Sequence, residues 1–286
     1  MSVILPPLPT EMWLAELSEA NYEFIRRLVY EKSRIDLGPD KKALVASRLT
    51  KRLRALRMAN YDSYCGLLKT KRGADEELSN LIDVISTNHT HFFRESRHFD
   101  FLRDTAIPQW RAKNQSALRI WSAACSSGEE PYTLAIVLAE ALGLEADWRI
   151  MATDISTRML ATARAGVYSA DRLSHVLPER RGRYFQKGVG SSEGQFRVKD
   201  ELRRRVDFAQ INLLQGNYPF HAKFDVILCR NVMIYFDRDT QETLVNKLAQ
   251  HLHTGGYLMV GHSESLSAIR HGLAPLQPAL YQKRAA

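Results

Sequence analysis

The chain predicts an α/β fold: a mostly parallel sheet with helices on both faces, a small helical domain ahead of it, and an antiparallel β insertion within it. Three observations carry this expectation. From Leu118 onward, short apolar runs alternate with helical spacings, the rhythm of repeated β-α-β units. Before about Lys113 the spacing is helical and offers no convincing strand. Between Gly166 and Arg204 the rhythm breaks, and YFQKGVGSSEGQFRV reads as a hairpin with a Gly-rich tip. The expected boundaries are 11–87 for the helical domain, 88–117 for a linking segment that covers a pocket and ends in a helix, and 118–286 for the sheet domain. The insertion occupies 166–204.

The elements follow in order. Residues 1 to about 10 are Pro-rich and expected to be disordered. Ser18-Glu19-Ala20-Asn21 caps a helix carrying Tyr22, Phe24, Ile25, Leu28 and Val29. Gly38-Pro39-Asp40 opens a second, with Leu44, Val45, Leu49, Leu53 and Leu56 at helical spacing. Two more helices are expected near 61–70 and 74–86. LRIWSA is then a strand, Glu130 to Leu142 a helix, WRIMATD a strand, and Ser156 to Ala165 a helix. VDFAQIN and FDVILCRN are strands, a helix runs from Arg238 to Leu252, and GYLMVGHS and a final ALYQK complete the sheet.

Composition bounds the function classes. Hydrophobic residues at 45% and charged ones at 25% are ordinary for a soluble globular protein. No apolar run is long enough to span a membrane. MSVILPPLPTEMW lacks a basic region followed by a long apolar core, so no secretory signal is expected. Three cysteines (Cys65, Cys125, Cys229) without a CxxC pair argue against a disulfide framework and for a reducing, cytoplasmic setting.

The formal charge is +8, and one segment accounts for it. Eleven Lys or Arg and three acids lie between Arg26 and Arg57, with no acid from Lys41 to Arg57. A basic patch confined to one end implies an acidic macromolecular partner there. Nucleic acid, an acidic protein face and an anionic membrane all fit that description.

The chemistry concentrates at strand ends. After LRIWSA the loop Ser122-Ala123-Ala124-Cys125-Ser126-Ser127-Gly128 leads into Glu129 and Glu130, the layout of a nucleotide-type pocket at the carboxyl end of a parallel strand. Exposed amides at a helix N-terminus suit phosphate, whereas carboxylates beside them repel it. An adenosine-like ligand with a positive charge suits such a mouth, and S-adenosylmethionine is one. A nicotinamide dinucleotide does not fit, since GxGxxG is absent and Glu129 stands where pyrophosphate would go. Asp154, ending the next strand, is placed to accept ribose hydroxyls; the bland alternative is a helix-capping turn. Asn212 and Leu213 end a third strand and could border an adenine, or be an ordinary loop. Arg230, Asn231 and Tyr235 follow a fourth strand and aim polar groups at the crevice. Asn88, Thr90 and Arg94, among the aromatics of ISTNHTHFFRES, are placed to cover the pocket. His89 and His91 invite a metal reading, but no partner at ligand spacing accompanies them, so no metal is expected. Gly261-His262-Ser263-Glu264 looks like hydrolase parts, yet there is no GxSxG elbow.

STNHTHFFRE, SAACSSGEEPYT, ATDIS, INLL and FDVILCRNVMIYF, in this order, closely resemble the chemotaxis receptor methyltransferase family, usually called CheR. The resemblance runs from about Tyr22 to Lys283. It implies a Rossmann-like fold dependent on S-adenosylmethionine, with a helical N-terminal domain and an inserted antiparallel β-subdomain. It implies methyl transfer to glutamates on the cytoplasmic helices of chemoreceptors, giving glutamate methyl esters, with S-adenosylhomocysteine as product. The donor contacts it carries over are Asn88, Thr90, Arg94, Glu129, Asp154, Asn212, Leu213, Arg230 and Asn231. Arg94 and Tyr235 are the candidates for orienting the reacting carboxylate or the donor's methionine end. The basic segment then gains a role, with Arg48, Arg52 and Arg54 docking acidic receptor helices. Part of the family tethers a receptor C-terminal pentapeptide at the β-subdomain, and Gly188-Val189-Gly190-Ser191-Ser192-Glu193-Gly194 looks like the longer loop of that group. Gly188 and Gly190 are its marked residues.

Two other readings stay open on the sequence. One is methylation of RNA or of another protein, although the Asn/Asp-Pro-Pro-aromatic motif of amino-methyltransferases is missing. The other is a sensor that binds the donor or its product without turnover. No nucleic-acid partner and no membrane insertion are expected, and a monomer is the working expectation.

Overall fold

The computed structural model describes residues 16–86, 88–113 and 117–284. The Pro-rich start expected to be disordered lies outside the described residues. Two compact units divide the chain, Met1–Thr87 and Asn88–Ala286.

Among the described residues, the first unit holds four α-helices. Helix α1 (Glu19–Ser33) starts where Ser18 accepts a hydrogen bond from the amide of Asn21, and Arg34 in a left-handed conformation ends it. A 3₁₀ turn at Pro39–Lys41 feeds α2 (Lys42–Leu56). Asn60 caps α3 (Tyr61–Lys69), and Thr70 caps α4 (Lys71–Ile85). Their apolar stripes meet in one core of Tyr22, Ile25, Val29, Val45, Leu49, Leu53, Tyr64, Leu68, Leu81 and Ile85. Inside this core lies a buried carboxylate. Glu77 receives the Nε and Nη2 donors of Arg52 and the hydroxyl of Tyr64. A buried carboxylate is tolerated only when paired and hydrogen-bonded, and here both conditions hold.

The second unit begins with α5 (Arg97–Phe101), a π-helical turn at Leu102–Ala106 and α6 (Ile107–Ala112). Strand β1 (Leu118–Ser122), α7 (Glu129–Leu142), β2 (Trp148–Asp154) and α8 (Thr157–Ala165) then alternate. The insertion holds β3 (Val167–Ser169), α9 (Pro178–Tyr184), β4 (Phe185–Lys187), β5 (Gln195–Val198) and α10 (Asp200–Arg203). After it come β6 (Val206–Gln210), β7 (Phe224–Cys229), α11 (Arg238–Gln250), β8 (Leu252–Val260), β9 (Leu273–Gln277) and β10 (Leu280–Lys283).

The main sheet has the order β6-β2-β1-β7-β8-β10-β9. The first five of these pair in parallel, and β10 joins β8 and β9 antiparallel. Both faces are buried, which is why the strands read as nearly unbroken apolar runs. Val226 and Leu228 face one core with Ile120, Ile150 and Leu134, whereas Ile227 and Cys229 face the other with Trp121, Leu244 and Leu258. Strand order reverses between β1 and β7, so the crevice opens at the carboxyl ends of these strands.

The insertion is a three-stranded sheet of order β3-β5-β4, with the expected hairpin as β4 and β5. Strand β9 is a departure from the sequence reading, which closed the sheet with ALYQK alone. Pro275 and Pro278 disguised it, because a proline cannot donate to a sheet ladder; β9 is an edge strand, where that loss is tolerated.

Arg52 also departs from expectation. It was to dock an acidic partner, but its guanidinium is held by Glu77 within the unit. Arg48 donates to the carbonyl of Ile85 and is half-buried, and Arg54 is exposed on α2.

Glu77→Leu is expected to lower the stability of the helical unit by about 1–3 kcal/mol, because Tyr64 keeps a buried hydroxyl without its acceptor. Urea unfolding of the full chain, with hydrogen exchange read in α2 to α4, checks this. An unchanged midpoint and unchanged protection would show that the network contributes nothing net.

Candidate active site

The loop between β1 and α7 forms the floor of the crevice. Asp154, at the end of β2, fastens it: one carboxylate oxygen accepts the amide of Ser126 at 2.8 Å, and the other accepts the amide of Ser156 at 2.9 Å. Ser156 itself caps α8. Asp154 therefore performs the turn-forming role weighed against it. Gly128 carries a φ of 96°, and a Cβ there would lie 2.8 Å from the Tyr168 hydroxyl and 2.9 Å from Cβ of Ala163. Close packing of α8 and β3, rather than approach to a ligand, is what requires glycine.

Glu129 opens α7 and is 0% exposed. One oxygen accepts the Ser127 hydroxyl at 2.8 Å, and the other pairs with Arg172 of the insertion. Arg172 also donates to the Ser127 hydroxyl oxygen at 2.6 Å. Glu129 was expected at the pocket mouth, facing an ammonium; it is buried and faces a guanidinium. Arg172 was not anticipated, since it lies 43 residues away within the insertion. Glu130 has a different task. It accepts the Ser122 hydroxyl at 2.6 Å and Nη1 of Arg230 at 3.0 Å, so it ties the end of β1 to the end of β7.

Arg230 is the hub of this tie. Its side chain is 2% exposed and bonds Glu130, Glu95 at 3.0 Å and the carbonyl of Arg94, with the guanidinium 5.5 Å from the Phe99 ring centre. The guanidinium is thus committed to the protein, and the Arg230 backbone is what remains for a ligand. Asn231 adopts a left-handed φ of 57°, donates its amide to Glu264 at 2.8 Å and its side chain to Glu95 at 3.2 Å.

Glu264 was set aside on the sequence as part of a false hydrolase motif. In the structure it accepts the amides of Gly261, Asn231, Met233 and Ile234. Burial pushes its carboxyl up from the usual range, against these four amides, which pull it down. The turn it organises carries Tyr235, half-buried in a 3₁₀ segment at Met233–Tyr235. A polar GHSE immediately after an apolar strand was the signal that marked it.

The FFRES segment closes one side. Phe93 and Glu95 both adopt left-handed φ angles, of 57° and 55°. Such strain persists where the surroundings fix it. Phe92 is fully buried edge-on against Tyr168 and Phe185, and the Phe93 amide donates to Thr133 at 3.1 Å. Arg94, between them, donates to the His89 carbonyl at 2.7 Å. The Asn88 carbonyl accepts the Ser126 hydroxyl at 3.4 Å, while Thr90 is half-buried nearby in sequence. Asn212 folds an Asx turn onto the amide of Leu214, and Leu213 is buried. Arg230 bonds Arg94 directly and Asn231 through Glu95, and Asp154 is linked to Asn88 through Ser126; Glu129 bonds Ser127 and Arg172 instead, and Asn212 and Leu213 follow the neighbouring strand β6.

His91 lies 4.4 Å from His175 and 6.3 Å from His89, ring centre to ring centre. Glu95, His98 and His262 do place ligand atoms within 4.8 Å of one another. Arg230 and Asn231 already hold both Glu95 oxygens, and the Arg230 cation opposes a metal there. The thiols of Cys125 and Cys229 are raised by burial, so neither is a nucleophile at neutral pH. The Gly-rich tip owes its shape to its glycines: a Cβ on Gly188 would strike the Ser192 carbonyl oxygen at 2.1 Å, and Gly190 has a φ of 58°.

Residues 88–278 match the family model described as CheR methyltransferase, SAM binding domain, and residues 20–86 match the CheR methyltransferase, all-alpha domain. The chain is 41% identical over 264 residues to a chemotaxis protein methyltransferase of Borreliella burgdorferi, covering 90% of this chain and 92% of that protein. It is 40% identical over 252 residues to the chemotaxis protein methyltransferase of Salmonella typhimurium, covering 88% and 85%. Chemotaxis protein methyltransferase 2 of Pseudomonas aeruginosa is 40% identical over 262 residues, covering 91% and 92%.

His98 gives the site a pH signature. Burial, and then the Arg230 charge, push its pKa down to about 4 from 6.5. Above pH 6.5 the ring is neutral in both folded and unfolded chains. As pH falls from 6.5 toward 4, only the unfolded chain takes up the proton, so stability falls, by roughly 3 kcal/mol at most. Urea midpoints between pH 7.5 and 4.5 measure this, and His98→Gln is expected to flatten the slope. An equal slope in the variant would assign the pH dependence to other groups.

Proposed function

Because the chain belongs to the CheR methyltransferase family, we propose that it methylates glutamate side chains on the cytoplasmic helices of chemoreceptors, giving glutamate methyl esters. Its donor is S-adenosylmethionine, the ligand of the matched SAM binding domain. The observation that supports this reading is the crevice at the β1/β7 reversal, where Asp154, bonded to the β1–α7 loop, suits a ribose.

Bound in this crevice, the donor supplies a methyl group already activated by its sulfonium. A glutamate carboxylate is ionised at neutral pH and is itself the nucleophile, so no general base is required. The residues of this chain have to exclude water and hold the two reactants in line. Arg94 and Tyr235, on the two segments braced by Arg230 and Glu264, are the residues for orienting the acceptor carboxylate. Arg48 and Arg54 remain the candidates on α2 for attracting acidic receptor helices; Arg52 is replaced in that role by its structural bond to Glu77.

The β-subdomain is the proposed docking place for a receptor C-terminal pentapeptide. Strand β4 is an edge of its small sheet, able to accept an added strand, and the Gly188–Gly194 tip lies at its end. Tethering raises the local concentration of substrate without altering the chemistry.

A receptor fragment incubated with radiolabelled donor should acquire a base-labile methyl ester. Arg94→Ala should reduce kcat/KM by about 10²–10³, the scale of losing a transition-state contact. Arg54→Glu should instead raise KM, with an effect that shrinks in high salt. Label that is stable to base, or transferred only to RNA, would overturn the substrate. Near-normal turnover in Arg94→Ala would remove that residue from the mechanism.

Calorimetric titration with an aromatic-acidic receptor pentapeptide should show micromolar binding that Gly188→Ala abolishes while donor binding persists. Absence of heat, with no competition by the peptide in the methylation assay, would rule tethering out.

A further inference from the structure

We propose that Arg172, from the inserted subdomain, is a donor-binding residue: it receives the α-carboxylate of the donor, while the buried Glu129 holds its guanidinium in place. This rests on the S-adenosylmethionine reading of the crevice and goes beyond it by assigning a specific residue to one end of that ligand.

The amino-acid end of the donor is a zwitterion, with both charges on one carbon. A site with a buried acid alone would attract the ammonium and repel the carboxylate beside it. Arg172, in direct contact with Glu129 at the start of α7, supplies the cation that the donor's carboxylate requires. Ser127 bridges them, donating to Glu129 and accepting from Arg172.

Three features fit Arg172 for this task rather than for a purely structural ion pair. Its hydrogen bonds to Glu129 and Ser127 both use Nη2; among the described residues, Nε and Nη1 make none. Those two nitrogens are separate donors on a rigid planar group that suits a carboxylate. The side chain is 42% exposed, so its outer edge is open, whereas Glu129 is sealed beneath it. The backbone that carries Arg172 is fixed against the donor loop: the Tyr168 hydroxyl donates to the Ser127 carbonyl at 2.8 Å, and Leu173 is fully buried in the core. A flexible arginine would lose more conformational freedom on binding than one based on an anchored turn.

The partition is chemically coherent. Arg172 holds the carboxylate of the donor's amino-acid end, leaving Arg94 and Tyr235 for the acceptor carboxylate. The insertion would then contribute to donor binding as well as to any peptide docking.

The test is equilibrium binding to the full chain. S-adenosylhomocysteine carries both charges, its decarboxylated analogue keeps only the amine, and 5′-methylthioadenosine lacks both. Arg172→Gln can still donate a hydrogen bond to Glu129, so the loop retains a partner. The variant should bind S-adenosylhomocysteine about 10- to 100-fold more weakly, the scale of a charged hydrogen bond. It should bind the decarboxylated analogue and 5′-methylthioadenosine as the parent does. Arg172→Lys, which keeps charge but loses the fork, should fall between. Unchanged affinity for S-adenosylhomocysteine would overturn the proposal, and so would an equal loss for all three ligands, the mark of a disturbed loop. Failure of the parent chain to bind S-adenosylhomocysteine at all would instead overturn the donor reading on which the proposal stands.

Discussion

Carboxylates held at the carboxyl ends of parallel strands organise this molecule. The crevice rim contains Glu95, Glu129, Glu130, Asp154 and Glu264, all partly or fully removed from water. A carboxylate in that environment is costly unless it is paired or accepts several hydrogen bonds. Each one here meets the requirement differently. Asp154 and Glu264 accept backbone amides and so fix loops. Glu95 and Glu130 share the Arg230 guanidinium and so join segments distant in sequence. Glu129 pairs with the insertion.

The same requirement turns a set of loops into a defined site. Arg230 gathers the FFRES segment, the start of α7 and the end of β7 around one buried cation. Glu264 then sets the turn after β7, which carries Tyr235. The catalytic chemistry asks only for alignment and exclusion of water, and a network of paired charges supplies rigidity where polar backbone is unavoidable. In the helical unit Glu77 does comparable work with Arg52 and Tyr64, which is why one arginine of the basic segment faces inward.

Much of this was legible before any coordinates. Asp154 and Arg230 announced themselves because each is a polar residue closing an apolar strand, and alternation with helices implied parallel order. Strand β9 was hidden by its prolines. Arg172 and Glu264 were missed for another reason: Arg172 pairs with a carboxylate distant in sequence, and Glu264 gathers amides of the turn after β7, contacts that no local spacing records. Arg52 misled because charge counted along a helix does not reveal which cations point at a buried acid on a neighbouring helix.

The sequence by itself determined the alternation of elements apart from β9, the crevice at the strand ends and the family, since periodicity and contiguous motifs are local properties written in the chain. Tertiary structure alone decided the partners of the charged groups. It made the Arg230 guanidinium an internal brace, turned Glu264 from a discarded motif into a loop organiser, and made Arg172, unremarked in the sequence, the counter-ion of Glu129. The physical reason is that pairing of buried charge depends on three-dimensional proximity and on the loss of water, and neither is encoded in the spacing of residues along a strand or helix.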